Sequence, residues 1–179
     1  MTFRAVCSTF FTTLVAGLLA VAVSAGAENQ TQTSNTQRFD ALKRLAGDWV
    51  EADKEGKPTD KLVSSFRVTA AGSAVEETIF PGSDHEMITM YHLDGDDLIL
   101  THYCMLGNQP RLKAEPGTDP NRIAFKFVGA TNLKSDDDHH MHEATFTFEG
   151  NDHFQAEWAS NKEGKECHRV VLNLVRKAK

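Results

Sequence analysis

Residues 87–112, "MITMYHLDGDDLILTHYCMLGNQPRL", carry the reading of the fold. Asp94-Gly95 is a two-residue hairpin signal, because both central positions of the tight turn that joins right-twisted strands need residues tolerant of positive φ. Before it, Met87, Thr89, Tyr91 and Leu93 share one face and Ile88, Met90 and His92 the other. After it, Leu98, Leu100, His102 and Cys104 stand against Ile99, Thr101, Tyr103 and Met105. Neither strand alternates cleanly between apolar and polar, as a sheet over a dry core would. A wall with a cavity on one side fits the mixture better, since such a wall carries polar groups inward as well as outward.

The same grammar extends in both directions. Upstream lie "DWVEAD", "KLVSSFRVT" and "AVEETIF", separated by the turns "KEGKPTD", "AAGS" and Pro81-Gly82. Downstream follow "QPRLKA", "RIAFKFVG", "HHMHEATFTF", "HFQAEWA" and "CHRVVLNLVRK". About ten strands at hairpin spacing leave no helix long enough for a parallel crossover. An antiparallel meander of that length hides its edges by closing on itself, so the expected fold is an all-β, roughly ten-stranded up-and-down barrel. A two-sheet sandwich is the alternative. One short helix precedes the strands: Thr36 is the expected N-cap, "QRFDALKRLAG" places Phe39, Leu42 and Leu45 on one side, and Gly47 stops it. It is expected to plug or cover one end of the barrel.

The N-terminus reads as a targeting segment. Arg4 precedes an uncharged apolar run from Phe10 to Val23, and Ala25-Gly26-Ala27 supplies small residues for cleavage before Glu28. The run is shorter than the roughly 20 residues of a membrane helix. Residues 1–27 are therefore expected to be a signal peptide, 28–36 a flexible leader and 37–179 one domain, periplasmic or secreted, with no membrane span in the mature protein. The net charge of −6 argues against a nucleic-acid partner, because phosphate contacts want clustered Lys and Arg. Cys104 and Cys167 remain after processing, either bridged or as free thiols.

Gly47-Asp48-Trp49, opening the first strand after a short helix, resembles the G-x-W entry of the calycins, the lipocalin, fatty-acid-binding and nitrobindin-like barrels. The closing "HRVVLNLVRK", with Arg176 late on the last strand, resembles their final strand, where a basic residue packs over the first-strand tryptophan. The resemblance runs from about Arg38 to Arg176 and is shared with small exported bacterial barrels. It implies an internal cavity and names no ligand.

The candidate site residues follow from the hairpin. If the Leu98 face looks inward, His102 enters the cavity, the flanking strand adds His92 or Tyr91, and Gln109 and Arg111 supply donors for a carboxylate or another polar head. Tyr103 has the opposite parity and joins only through a bulge. Phe66, Phe125, Phe127, Phe146, Phe148 and Trp158 are expected to give apolar contact. The alternative places His92 and His102 as a pair on the outer wall. His140 and His142, two apart in a strand, could share one Zn²⁺ or Cu²⁺, although "SDDDHHMHEA" reads equally as an acidic turn entering a strand. His168, in parity with Val170, Leu172 and Leu174, is a conceivable haem ligand under the nitrobindin resemblance. His102 and Cys104 could form a thiolate–imidazole pair. No G-x-S-x-G, HExxH or glycine-rich phosphate loop occurs, and Glu76-Glu77 and Asp96-Asp97 split across two faces, so binding is a better reading than catalysis. The expected function is capture of a small, partly polar molecule. A metal- or haem-binding barrel and a structural module with a filled core are the alternatives.

Overall fold

The computed structural model describes residues 33–135 and 137–178. The segment read as a signal peptide, and the leader as far as residue 32, lie outside the described residues. Ten strands form one closed antiparallel barrel: β1 (Gly47–Ala52), β2 (Pro58–Thr69), β3 (Ala74–Ile79), β4 (Met87–Asp94), β5 (Asp97–Tyr103), β6 (Gln109–Ala114), β7 (Arg122–Thr131), β8 (His140–Phe148), β9 (His153–Lys162) and β10 (Lys165–Arg176). Each pairs with its chain neighbours, and β1 pairs with β10, so the sandwich alternative is eliminated. Among the described residues no helix is long and apolar enough to cross a membrane.

The helix α1 (Asn35–Arg44) begins earlier than expected. Ser34, not Thr36, is the N-cap: its Oγ accepts from Gln37 N at 3.2 Å, and the Gln37 carboxamide accepts from Ser34 N at 3.0 Å. This reciprocal pair is a capping box, which satisfies two donors that the first helical turn leaves open. The Ser-x-x-Gln spacing that encodes it stands in the sequence, inside the stretch assigned to the leader.

α1 closes one end of the barrel. Phe39, Leu42 and Leu45 enter the core, as their spacing predicts. Asn35 Nδ2 donates to Asp96 O in the β4–β5 turn at 2.8 Å. Arg38 is buried and donates to Glu115 O at 2.7 Å and Gly117 O at 2.8 Å, tying the helix to the β6–β7 connection. The opposite end holds the β3–β4, β5–β6 and β7–β8 connections.

The seam between first and last strands lies beside the lid. Trp49, Val50 and Glu51 stand opposite Arg176, Val175 and Leu174, whereas β9 and β10 stay in register from Lys165 to Val175. Arg176 binds the seam to the helix. Its guanidinium lies 4.4 Å from the Trp49 ring, Nη1 donates to Ala46 O and Nη2 to Arg44 O, both at 2.9 Å, and Nη2 also donates to Asn151 O at 3.0 Å. Trp49 Nε1 donates to Leu45 O at 2.7 Å. Gly47 has a φ of 124°, and a Cβ there would come within 3.3 Å of Arg176 Nη1, so the close approach requires glycine.

Aromatic rings occupy much of the interior. Trp49 meets Phe154 edge-on at 4.6 Å, Phe146 meets Phe125 and Trp158 at 6.0 Å each, and Tyr91 meets Phe146 at 6.0 Å. Edge-to-face packing of this kind adds about 0.5–1.5 kcal/mol per pair beyond the area buried.

Candidate functional site

Polar groups cross the interior on β3, β4 and β5. Register sets Glu77 opposite Thr89, and Thr89 opposite His102, so the three form one row across neighbouring strands. Ser64 of β2 and Tyr91 of β4 flank the row, and the Trp158 ring of β9 reaches it with its centroid 5.0 Å from that of His102. All six side chains are buried.

Most of their polar atoms are satisfied. Tyr91 Oη donates to Glu77 Oε2 at 2.6 Å, and Ser64 Oγ donates to Glu77 Oε1 at 2.7 Å. Thr89 Oγ1 and His102 Nδ1 lie 2.9 Å apart. Two atoms remain: His102 Nε2 and Trp158 Nε1 are buried, and no group among the described residues hydrogen-bonds to either. Leaving such groups unpaired costs about 1–3 kcal/mol each, so a folded chain that keeps two of them on touching rings holds them for something.

Burial sets the protonation states. It pushes the Glu77 carboxyl up to about 7, against the pull of the Tyr91 and Ser64 hydrogen bonds. It lowers His102 to about 4, so the imidazole is neutral at ordinary pH. The Tyr91 phenol is raised by burial and by the adjacent Glu77, and Thr89 hydrogen-bonds to it from the other side.

Of the residues expected in the site, the structure brings His102 and Trp158 together inside. Tyr103, Gln109 and Arg111 lie on the outer wall, which corrects the expectation that they share a cavity with His102. The cause is register. Thr101 opposes Arg111 and Leu100 opposes Leu112, so once Leu100 and His102 face inward, Thr101, Tyr103 and Arg111 face out. Arg111 Nη2 pairs with Asp94 Oδ2 at 2.9 Å, with the two side chains 46 % and 65 % exposed. A pair so well solvated contributes about 0–1 kcal/mol. Gln109 Oε1 accepts from Thr131 Oγ1 at 2.6 Å, and Tyr103 is half exposed. These three residues line a shallow outer groove with Thr101, Val128 and Thr131. His92, half-buried, has the parity opposite to Tyr91 and stands between Ala74 and Ile99.

The other candidates are placed as follows. His140 Nδ1 donates to Asp138 O at 2.7 Å, which makes its Nε2 an acceptor for His142 Nδ1–H at 3.1 Å. Phe127 stacks on both rings. Among the described residues no three His, Cys, Asp or Glu side chains converge as metal ligands. His168 is exposed on the lower part of β10. Cys104 and Cys167 are free thiols. Burial raises the Cys104 thiol, the reverse of what a thiolate nucleophile needs.

Glu77, Ser64 and Thr89 were missed as site residues. A signal existed for the first: in "AVEETIF", Glu77 shares its face with Val75 and Ile79, while Glu76 and Thr78 share the other. A lone acid on an apolar face marks an interior polar group.

The closed ten-stranded antiparallel barrel is compatible with the calycin resemblance. No family model and no curated protein matches the sequence.

Proposed function

We propose that this barrel binds a small, partly polar molecule, with its polar group at His102 Nε2 and Trp158 Nε1 and its apolar part against the neighbouring rings. The two unpartnered polar atoms carry this reading. A ligand that pairs both recovers the free energy that the empty site gives up. Phe146, edge-on to Trp158 at 6.0 Å, offers the adjoining apolar surface. The same proposal has the chain exported and cut after Ala27.

The test is a thermal-shift panel of small alcohols, amides, acids and amines on protein recovered from the exported fraction. Its N-terminus should read Glu28. At least one compound should raise the melting point, since a ligand at about 100 times its Kd stabilises the native state by about 2.7 kcal/mol. His102→Phe should erase that response and Arg111→Ala, on the outer wall, should leave it intact. A panel without any stabilising compound refutes the binding reading. An N-terminus retaining residues 1–27 refutes export.

A further inference from the structure

The interior row has a direction and a charge state, and both restrict what it can hold. Tyr91 spends its one proton on Glu77 Oε2. The Thr89 hydroxyl hydrogen-bonds towards the Tyr91 oxygen, and having spent its own proton there it is an acceptor for His102 Nδ1–H. The imidazole kept neutral by burial then presents a lone pair at Nε2. Trp158 Nε1–H can only donate. The unpaired atoms are therefore one acceptor and one donor, on rings 5.0 Å apart.

No fixed charge faces them. Among the described residues Arg38 is the one buried Lys or Arg, and its guanidinium is engaged by the carbonyls of Glu115 and Gly117 under the lid. Glu77 is the one acid in the row, and both its oxygens are already occupied by Ser64 and Tyr91. The remaining inward-facing walls near the row supply Leu112, Phe125, Phe146 and Leu174. An anion entering would find no cation, and an ammonium would find no free carboxylate oxygen.

Resting on the binding reading above, we infer that the site takes an uncharged head group that both donates and accepts a hydrogen bond, such as an alcohol or a primary amide, and rejects carboxylates and ammonium ions. The experiment compares matched compounds on the full mature chain at pH 7.5: benzyl alcohol, benzamide, benzoate and benzylammonium, with the corresponding hexyl series. Affinity comes from calorimetry, and location from the ¹⁵N-resolved signals of the Trp158 indole N–H and the His102 imidazole. The neutral compounds should bind about ten-fold or more tighter than either ion, the cost of burying a charge without a partner, and should move both signals. Trp158→Phe should weaken alcohol and amide binding and leave the ions as poor as before. If benzoate or benzylammonium binds as well as benzamide while moving the same two signals, the inference falls and the binding reading stands. If binding leaves those signals unmoved, or if none of the eight compounds binds, both fall.

Discussion

Glu77→Gln is expected to turn a barrel whose stability barely responds to pH between 4.5 and 6.5 into one that grows more stable as pH rises. Two buried groups oppose each other in the parent. Glu77 is raised from 4.5 to about 7, so the native state holds its proton more tightly than the unfolded chain does. That contribution is complete below pH 4.5 and is lost as pH climbs through 7. His102 is lowered from 6.5 to about 4, so the native state sheds its proton first. Its contribution is complete above pH 6.5 and is lost as pH falls through 4. Each shift is worth about 3 kcal/mol over its window. Across the shared range one slope falls while the other rises.

Glutamine preserves an acceptor for Tyr91 or Ser64 and removes the titration. The variant should therefore gain about 3 kcal/mol relative to its own value at pH 4 on reaching pH 6.5. His102→Gln should show the mirror image, losing stability between pH 4.5 and 7. Urea midpoints at pH 4, 5, 6 and 7 for the three proteins decide the matter. The exposed acids held low by their partners, Glu143 beside Lys126 and Glu166 beside Arg169, act equally in all three and cancel in the differences. A Glu77→Gln curve parallel to the parent's would show that the carboxyl is ionised in the native barrel and that the burial argument fails.

Arg176→Ala should cost about 3 kcal/mol, seen as a fall in melting temperature of roughly 10 °C. One guanidinium serves the C-terminal carbonyls of α1 through Arg44 O and Ala46 O, the β8–β9 turn through Asn151 O, and the Trp49 face. Charged hydrogen bonds contribute about 1.5–3 kcal/mol and the ring contact about 0.5–2 kcal/mol. The side chain is 28 % exposed, which holds the sum below the upper limits. Arg176→Lys should recover only part of the loss, because an ammonium cannot bridge three carbonyls as a planar fork does. A melting point within 2 °C of the parent's would show that the seam holds without its guanidinium.

The architecture was legible because it is written in local chemistry. Asp94-Gly95 does form the β4–β5 turn, and the alternation of Ile123 and Phe125 against Ala124 and Lys126 does set the inner face of β7. Phe39, Leu42 and Leu45 announced the buried side of α1. The site was harder. In "QPRLKA" the apolar members Pro110, Leu112 and Ala114 mark the inner face, yet the chemical appeal of Gln109 and Arg111 drew attention to the outer one. Placing Trp158 against His102 requires knowing that β9 and β5 face each other across a closed wall, and no local pattern contains that. The bulges at Arg111/Leu112 and Met141/Glu143 shift which residues face inward, and pairing across strands creates them.

The short seam between Trp49–Glu51 and Leu174–Arg176 joins residues more than a hundred positions apart. Circularising the sheet thus waits on the last segment synthesised, and the loop that must close is nearly the whole domain, a topology that slows folding. Until then β1 keeps an open row of amides and carbonyls, the kind of edge that recruits strangers. Molecules cut short by even a dozen residues at the C-terminus would keep that edge permanently bare, and they should be found in aggregates.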